Sequence, residues 1–142
     1  MSVDAYLNFN GNCREAVEFY AKVFGQEIPK IVTFGETPQD PNYPMPEEAK
    51  NRVMHARLTI NGSNVMFSDS FPGMEVVVGN NINLALISPS TDDLTSWFHQ
   101  LKEGGTVTME IQETFWSKLY GQVIDKYGVN WLFNYDNGDM TY

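Results

Sequence analysis

The chain has 142 residues, a length that suits one compact domain, and 42% of them are hydrophobic. Nine Lys and Arg residues face eighteen Asp and Glu residues, and the net charge of −9 argues against nucleic acid or an anionic membrane surface as a partner. No stretch approaches the roughly 20 apolar residues that cross a bilayer, and no basic segment followed by an apolar one opens the chain, so we expect a cytoplasmic protein.

The first half of the chain, residues 1–69, predicts a strand, a helix, a second strand and a hairpin. Alternating or apolar runs place its strands at residues 4–10, 27–34, 53–60 and 64–69. Asn12 is expected to cap the helix with Glu15 three residues later, and Gly25 to end it. The apolar helix face is formed by Cys13, Ala16, Val17, Tyr20, Val23 and Phe24. Cys13 is the only cysteine, so we expect a reduced core residue and no internal disulfide.

Three segments that join the predicted elements have recognisable sequence patterns. Asn61-Gly62 predicts a two-residue hairpin turn. Residues 35–51 contain four prolines, which predict an extended loop that serves either as a lid or as a plain surface excursion. Residues 70–81 are expected to link the two halves, and 76–78 could add a short strand.

The second half, residues 82–135, repeats the element order of the first. Its predicted strands lie at residues 82–88, 106–112, 120–125 and 129–135. Ser90 is expected to cap a helix with Asp93, and the apolar helix face is formed by Leu94, Trp97, Phe98 and Leu101. Tyr127-Gly128 predicts the hairpin turn, and residues 136–142 form a polar tail.

This repeated order predicts a duplicated βαβββ unit. The fold class is therefore α+β, with two modules in tandem that form curved mixed sheets around a cleft within a single domain. A helix would cover one face of each sheet, and the opposite faces would line the cleft.

The candidate ligand contacts are polar and aromatic side chains that we expect on the sheet faces opposite the predicted helices. The set is Tyr6, Asn8, Arg57, Ser68, Asn83, Gln112, Phe115, Trp116 and Trp131. Aromatic surfaces with a few hydrogen-bonding groups suit a small flat or amphipathic molecule. For Phe115 and Trp131 the alternative is a core position, because both faces of a buried sheet need filling.

Two residues are candidates for catalysis. His55 could transfer a proton, because an imidazole gains and loses one close to neutral pH, and Arg57 on the same strand face could hold a carboxylate or phosphate. Asp69, like Asp125, ends a predicted strand and could act as acid or base, although stabilising a turn is the alternative role. A solvated strand face is the alternative for His55 and Arg57.

Four stretches carry a resemblance to a known family. They are Tyr6-Leu7-Asn8-Phe9-Asn10-Gly11-Asn12 with the helix after it, Val65-Met66-Phe67-Ser68-Asp69-Ser70, Gln112-Glu113-Thr114 with Trp116, and the segment from Gly121 to Trp131. In this order they resemble the PhnB-like proteins of the glyoxalase, bleomycin resistance and extradiol dioxygenase superfamily, also called vicinal oxygen chelate proteins. The resemblance implies the same paired βαβββ modules.

The resemblance also implies where a metal would lie in metal-dependent members, which use His, Gln or Glu on the first and fourth strands of each module. The matching positions here are Asp4 or Ala5, residues 66–68, Asn83 and Leu132. One carboxylate and weak amide donors do not make a tight site. We therefore expect no bound metal and no cofactor.

Three functions follow from the resemblance. The first is metal-free binding of a small molecule, as in bleomycin-binding relatives, for which the acidic chain would favour a cationic planar ligand. The second is a divergent enzyme of the superfamily, of lyase, transferase or isomerase type, that uses His55, Asp69 or Asp125 without a metal or with one held weakly. The third is the name 3-demethylubiquinone 3-methyltransferase that PhnB-like proteins often carry, although no Gly-x-Gly turn for S-adenosylmethionine occurs in the chain. A homodimer is implied, since superfamily members commonly dimerise.

Overall fold

The computed structural model describes residues 1–138 and divides the chain into two compact units, Met1–Val77 and Val78–Tyr142, called module 1 and module 2 below. Their boundary falls inside the predicted linker, where no strand forms at residues 76–78. Most of the predicted tail, residues 139–142, lies outside the described residues. Within residues 1–138, no helix is long and apolar enough to cross a bilayer.

Module 1 is a four-stranded mixed sheet with one long helix. Its elements are β1 (Ala5–Phe9), α1 (Cys13–Val23), β2 (Val32–Thr33), a 3-10 turn (Phe34–Glu36), α2 (Glu47–Lys50), β3 (Val53–Ile60) and β4 (Ser63–Asp69). The strand order is β1-β4-β3-β2; β1 runs parallel to β4, and the other neighbours are antiparallel. The predicted turn at Asn61-Gly62 is confirmed, since both residues have positive φ, at 49° and 86°.

The core of module 1 lies between α1 and the sheet. The predicted apolar helix face is buried except at Phe24, which is half-buried, and Ala21 joins it. Tyr20 stacks on Phe67 with ring centroids 5.8 Å apart, and Phe67 stacks in turn on Phe9 at 6.4 Å. One face of the sheet is thereby covered, and the side chains that alternate with these point away from α1.

Helix α1 begins differently from the prediction. Asn12 makes no side-chain capping bond. The backbone N–H groups of Gly11 and Cys13 instead donate to one carboxylate oxygen of Asp69, at 2.8 and 3.0 Å. At the other end Gly25, with φ of 64°, closes the helix as predicted, because its positive φ lets Gln26 N–H reach the carbonyl of Ala21.

Module 2 repeats the sheet. Its elements are β5 (Leu84–Ser88), α3 (Thr91–Leu101), β6 (Thr106–Gln112), β7 (Tyr120–Ile124) and β8 (Asn130–Tyr135), in the strand order β5-β8-β7-β6. Again the first and last strands are parallel and the others antiparallel. The Ser90 cap is confirmed by a 3.1 Å bond from Asp93 N–H, and Phe98 of α3 packs on Phe133. The α+β class and the tandem βαβββ modules are thus confirmed.

Three predicted elements were wrong in extent. The strand at 27–34 shrinks to Val32–Thr33, where Pro29 just before it has no N–H to donate to a neighbouring strand. Ile82 was expected to face the core but is 72% exposed. The reason is that β5 begins only at Leu84, which pairs with Trp131 of β8, so Ile82 lies before the first paired residue of the strand. The loop at 35–51 is interrupted by the end of the 3-10 turn and by α2.

Candidate functional site

The candidate site is the face of the module 1 sheet that points away from α1, called the open face below. Its side chains come from the centre of β1, β3 and β4. The ladder sets Tyr6 and Arg57 on either side of Met66, and it sets Asn8 beside Ser68. Continuing the β3–β4 register by one residue places His55 next to Ser68. Four predicted ligand contacts and the predicted catalytic residue His55 therefore share one face of the sheet: Tyr6, Asn8, His55, Arg57 and Ser68.

Tyr6 and His55 form the first fixed pair on this face. The Tyr6 hydroxyl lies 3.2 Å from His55 Nδ1, and the two rings are tilted by 46° with centroids 5.9 Å apart. We assign Tyr6 as the donor and Nδ1 as the acceptor, because a phenol is a better donor than a neutral imidazole; this assignment puts the ring hydrogen on Nε2. Tyr6 is 44% exposed and His55 is half-buried, so the pair lies where a ligand could contact it.

Asn8 and Ser68 form the second pair. Ser68 is buried, and its hydroxyl donates to Asn8 Oδ1 at 2.9 Å. The Ser68 hydroxyl fixes the orientation of the Asn8 amide through one lone pair of Oδ1, and the amide nitrogen of this exposed residue keeps both hydrogens for another acceptor.

Arg57 has no partner of this kind. Its side chain is exposed, and among residues 1–138 it makes neither a hydrogen bond nor an ion pair. Arg52 contrasts with it: its guanidinium donates to Asn10 Oδ1 and to the carbonyl of Ser70, both at 3.1 Å, and thereby ties the two strand ends together. Arg57 is thus the arginine of this sheet that is available to a ligand.

Asp69, predicted as a second catalytic residue, lies on the helix side of the sheet. It is only 4% exposed, and its second oxygen accepts the backbone N–H of Val53 at 2.9 Å, in addition to the two bonds at the start of α1. Burial first and the carboxylate of Asp69 second raise the pKa of the Cys13 thiol to about 12, against a smaller opposing effect of Arg14. These contacts favour the structural alternative for Asp69, and Cys13 is a core residue as expected.

Asp125 and Trp131 form a similar structural centre in module 2. Asp125 accepts the backbone N–H groups of Tyr127 and Val129, at 2.8 and 3.0 Å, and so stabilises the turn at Gly128. Its other oxygen accepts the indole N–H of Trp131 at 2.8 Å. Trp131 is 1% exposed and pairs with Leu84 on the core side of the sheet, which is a correction to its expected place on the ligand side.

The remaining predicted contacts belong to module 2. Asn83 precedes β5 and Gln112 ends β6; both are exposed, and the amide of Gln112 donates back to the carbonyl of Glu110. Phe115 is 97% exposed and packs edge-on against Trp116, which in turn contacts Tyr120. These aromatic side chains form a group by themselves on the segment between β6 and β7.

The sequence reasoning missed three polar side chains of module 2, Tyr120, Gln122 and Asn134. By the β7–β8 register Gln122 lies opposite Leu132 and Tyr120 opposite Asn134, as Arg57 lies opposite Met66 in module 1. Gln122 donates to the Tyr120 hydroxyl at 3.1 Å, and Asn134 Oδ1 is buried without a partner among residues 1–138. The alternation of polar residues in β7 was the signal that could have found them.

The side chains present do not fit a metal centre of the kind the fold family uses. Among residues 1–138 no three His, Cys, Asp or Glu side chains come together, and the central strands of the open face offer amide, hydroxyl and thioether groups beside a histidine already bonded through Nδ1. Divalent transition ions need several anionic or imidazole donors at once.

Comparison with known proteins places the chain in a family. Residues 2–133 match the Glyoxalase/Bleomycin resistance protein/Dioxygenase superfamily. The chain belongs to this superfamily. Protein YjdN of Escherichia coli is 34% identical over 140 residues, which cover 94% of this chain and 95% of that protein.

Two solved structures extend this superfamily match. Protein PA1353 from Pseudomonas aeruginosa has a TM-score of 0.83 and 32% identity, covering 96% of this chain and 98% of its own. A PhnB protein from Bacillus cereus, to which the name 3-demethylubiquinone-9 3-methyltransferase is provisionally attached, has a TM-score of 0.73 and 28% identity, covering 96% and 100%. The resemblance to PhnB-like proteins is thereby confirmed at the level of the superfamily and its neighbours.

Proposed function

We propose that this superfamily protein binds a small organic molecule on the open face of module 1 without the help of a metal ion. The observation that carries the proposal is the Tyr6–His55 pair, which holds two ring-bearing polar groups in a fixed arrangement on a sheet. The Asn8–Ser68 pair does the same for an amide. Groups fixed before a ligand arrives cost less ordering entropy when it binds.

The experiment is a fragment screen of the full chain by two-dimensional NMR. Bound fragments are expected to shift the backbone amides of Tyr6, Asn8, His55, Arg57 and Ser68. A Tyr6→Ala variant should lose this response, whereas Tyr43→Ala, which removes an exposed tyrosine from the loop before α2, should keep it. Fragments that bind only elsewhere, or that bind Tyr6→Ala equally well, would contradict the proposal.

A second candidate function, proton transfer by His55, is favoured by one contact. The Tyr6 hydroxyl at Nδ1 holds the imidazole in one orientation on the sheet, as partners of catalytic histidines do. A substrate found by the screen distinguishes the two candidates: if His55 transfers a proton, His55→Gln should lower the turnover of that substrate far more than it weakens its binding. Unchanged turnover in His55→Gln, or no turnover in the parent protein, leaves the binding function alone.

We do not propose methyl transfer, although the Bacillus cereus relative carries that name. The chain has no Gly-x-Gly turn to receive S-adenosylmethionine. We further propose a cytoplasmic location and a homodimer; the dimer is supported because closed two-fold pairing covers sheet edges. Light scattering on the purified chain tests the dimer, and a monomeric mass would contradict it.

A further inference from the structure

We infer that the ligand of the open face carries an anionic oxygen group, a carboxylate or a phosphoryl group, and that Arg57 binds it. This inference rests on the proposed function, because it names the chemical class of the molecule that this face would take. It departs from the cationic planar ligand that the acidic composition alone suggested.

The first argument is the hydrogen-bond polarity of the face. Each internal pair engages a lone pair of its acceptor and leaves N–H groups of the same side chain without a partner in the pair. With Tyr6 donating to Nδ1 of His55, the ring presents Nε2–H; with Ser68 donating to Asn8 Oδ1, the amide presents its NH2 group. Arg57 adds a guanidinium that has only donors. A surface of donors binds a ligand group made of acceptors.

The second argument is charge. The chain holds two acidic residues for every basic one, yet the side chains of β1, β3 and β4 that point away from α1 include no carboxylate. Asp69 follows Ser68 but lies on the helix side of the sheet, and Asp4, which precedes β1, is exposed. An arginine without a partner among residues 1–138, on a face otherwise free of charged carboxylates, attracts an anion and resists a cation.

The third argument is the contrast with module 2. Its ladder has the same pattern, and the position matching Arg57, opposite Leu132, holds the neutral Gln122. The position matching His55, opposite Asn134, holds Tyr120. The positive group therefore belongs to module 1 alone and does not come from the repeated fold.

The experiment compares four probes that share one benzene ring and differ in the attached group. Benzoate and phenylphosphonate are the anions, benzamide is the neutral amide and benzamidine is the cation. Each is titrated into the ¹⁵N-labelled full chain while the amides of the open face are followed. The two anions are expected to bind at least about tenfold more tightly than benzamide, since a hydrogen bond to a charged group is stronger than one to a neutral group. The tighter of the two anions tells a carboxylate from a phosphoryl ligand.

Three variants assign the effect to a residue. Arg57→Gln should weaken the binding of the tighter anion at least about tenfold and leave benzamide unchanged. Arg14→Gln, which removes the same charge from the exposed side of α1, should change it less than about twofold, because screening by salt weakens distant surface charges. Asp4→Asn should strengthen anion binding or leave it as it is.

The possible failures are distinguishable. Tighter binding of benzamidine, lost in Asp4→Asn, would overturn the anion inference and leave the proposed small-molecule function standing. Equal losses in Arg57→Gln and Arg14→Gln would overturn it too, since a general charge effect would then explain the result. If none of the four probes moves the open face, the inference fails, and the broader fragment screen decides separately whether the proposed function fails with it.

Discussion

Replacing Asp69 tests whether this carboxylate is structural, because it joins three parts of module 1. Its two oxygens accept N–H groups from Gly11, Cys13 and Val53 at 2.8 to 3.0 Å. Cys13 and Val53 are fully buried, whereas Gly11 is exposed and can bond to water instead. Asp69→Ala therefore leaves two buried donors unsatisfied, at about 1–3 kcal/mol each, and we expect a loss of about 3–5 kcal/mol of unfolding free energy.

The Asp69→Asn variant refines that test. The remaining side-chain oxygen in this variant can still accept from Gly11 and Cys13, but it is no longer a charged acceptor. The new NH2 group faces the N–H of Val53, and two donors cannot bond to each other. We expect a loss of about 1.5–3 kcal/mol, a large share of the 5–15 kcal/mol that typically stabilises a protein. Asp4→Asn, which changes an exposed aspartate in the same way, should stay within about 0.5 kcal/mol of the parent.

Urea unfolding gives these free energies, and amide hydrogen exchange gives the local effect. Exchange at Val53 should accelerate in Asp69→Asn more than exchange at Leu58, which lies in the middle of the same strand. A variant as stable as the parent, with slow exchange at Val53, would refute the structural role. If such a variant had also lost a ligand-dependent activity, the catalytic role predicted for Asp69 would be supported instead.

The remaining predictions concern the thiol, the caps and the turn. The pKa of Cys13 rises from the ordinary value of 9.0 to about 12, so the Cys13 thiol should resist iodoacetamide until the chain unfolds. The contribution of this thiol to stability is complete below pH 9 and should fall between pH 9 and pH 12. Urea titrations should show that fall in the parent protein but not in Cys13→Ala. Ser90→Ala should cost about 1 kcal/mol in the same assay, and Asn12→Ala much less, because only Ser90 makes its cap bond. Gly62→Ala, at a φ of 86°, should cost about 1 kcal/mol more than Gly79→Ala, whose φ is not positive.

Local sequence signals predicted most of the fold because the decisive interactions are local. The bounds of β3 and β6 are those expected from alternation, and Ser90 caps α3 from three residues away. The predicted cap of α1 was wrong because its competitor is far away in sequence: Asp69 reaches the start of α1 from 56 residues along the chain. No short-range pattern contains that information.

The candidate site was predictable only where one strand face was clearly polar. On β1 and β3, polar and apolar residues alternate, so the open-face positions of Tyr6 and His55 could be read directly. On β8 the run Trp131-Leu132-Phe133 is apolar at every position, so hydrophobicity cannot tell whether the odd-numbered or the even-numbered residues face the core. The ladder decides it, by pairing Trp131 with Leu84 and leaving Leu132 on the other side.

The two modules show which part of the site the repeated fold supplies. Both sheets place one side chain of the third strand opposite a residue of the last strand, and the fold fixes that geometry without fixing the chemistry. Module 1 uses the position for Arg57 and module 2 for Gln122. Asp69 and Asp125, the carboxylates most suggestive of catalysis in the sequence, hold backbone and indole N–H groups instead. What remains for a ligand in module 1 is a set of donors around Arg57, so acceptor-rich molecules are the place to begin the search.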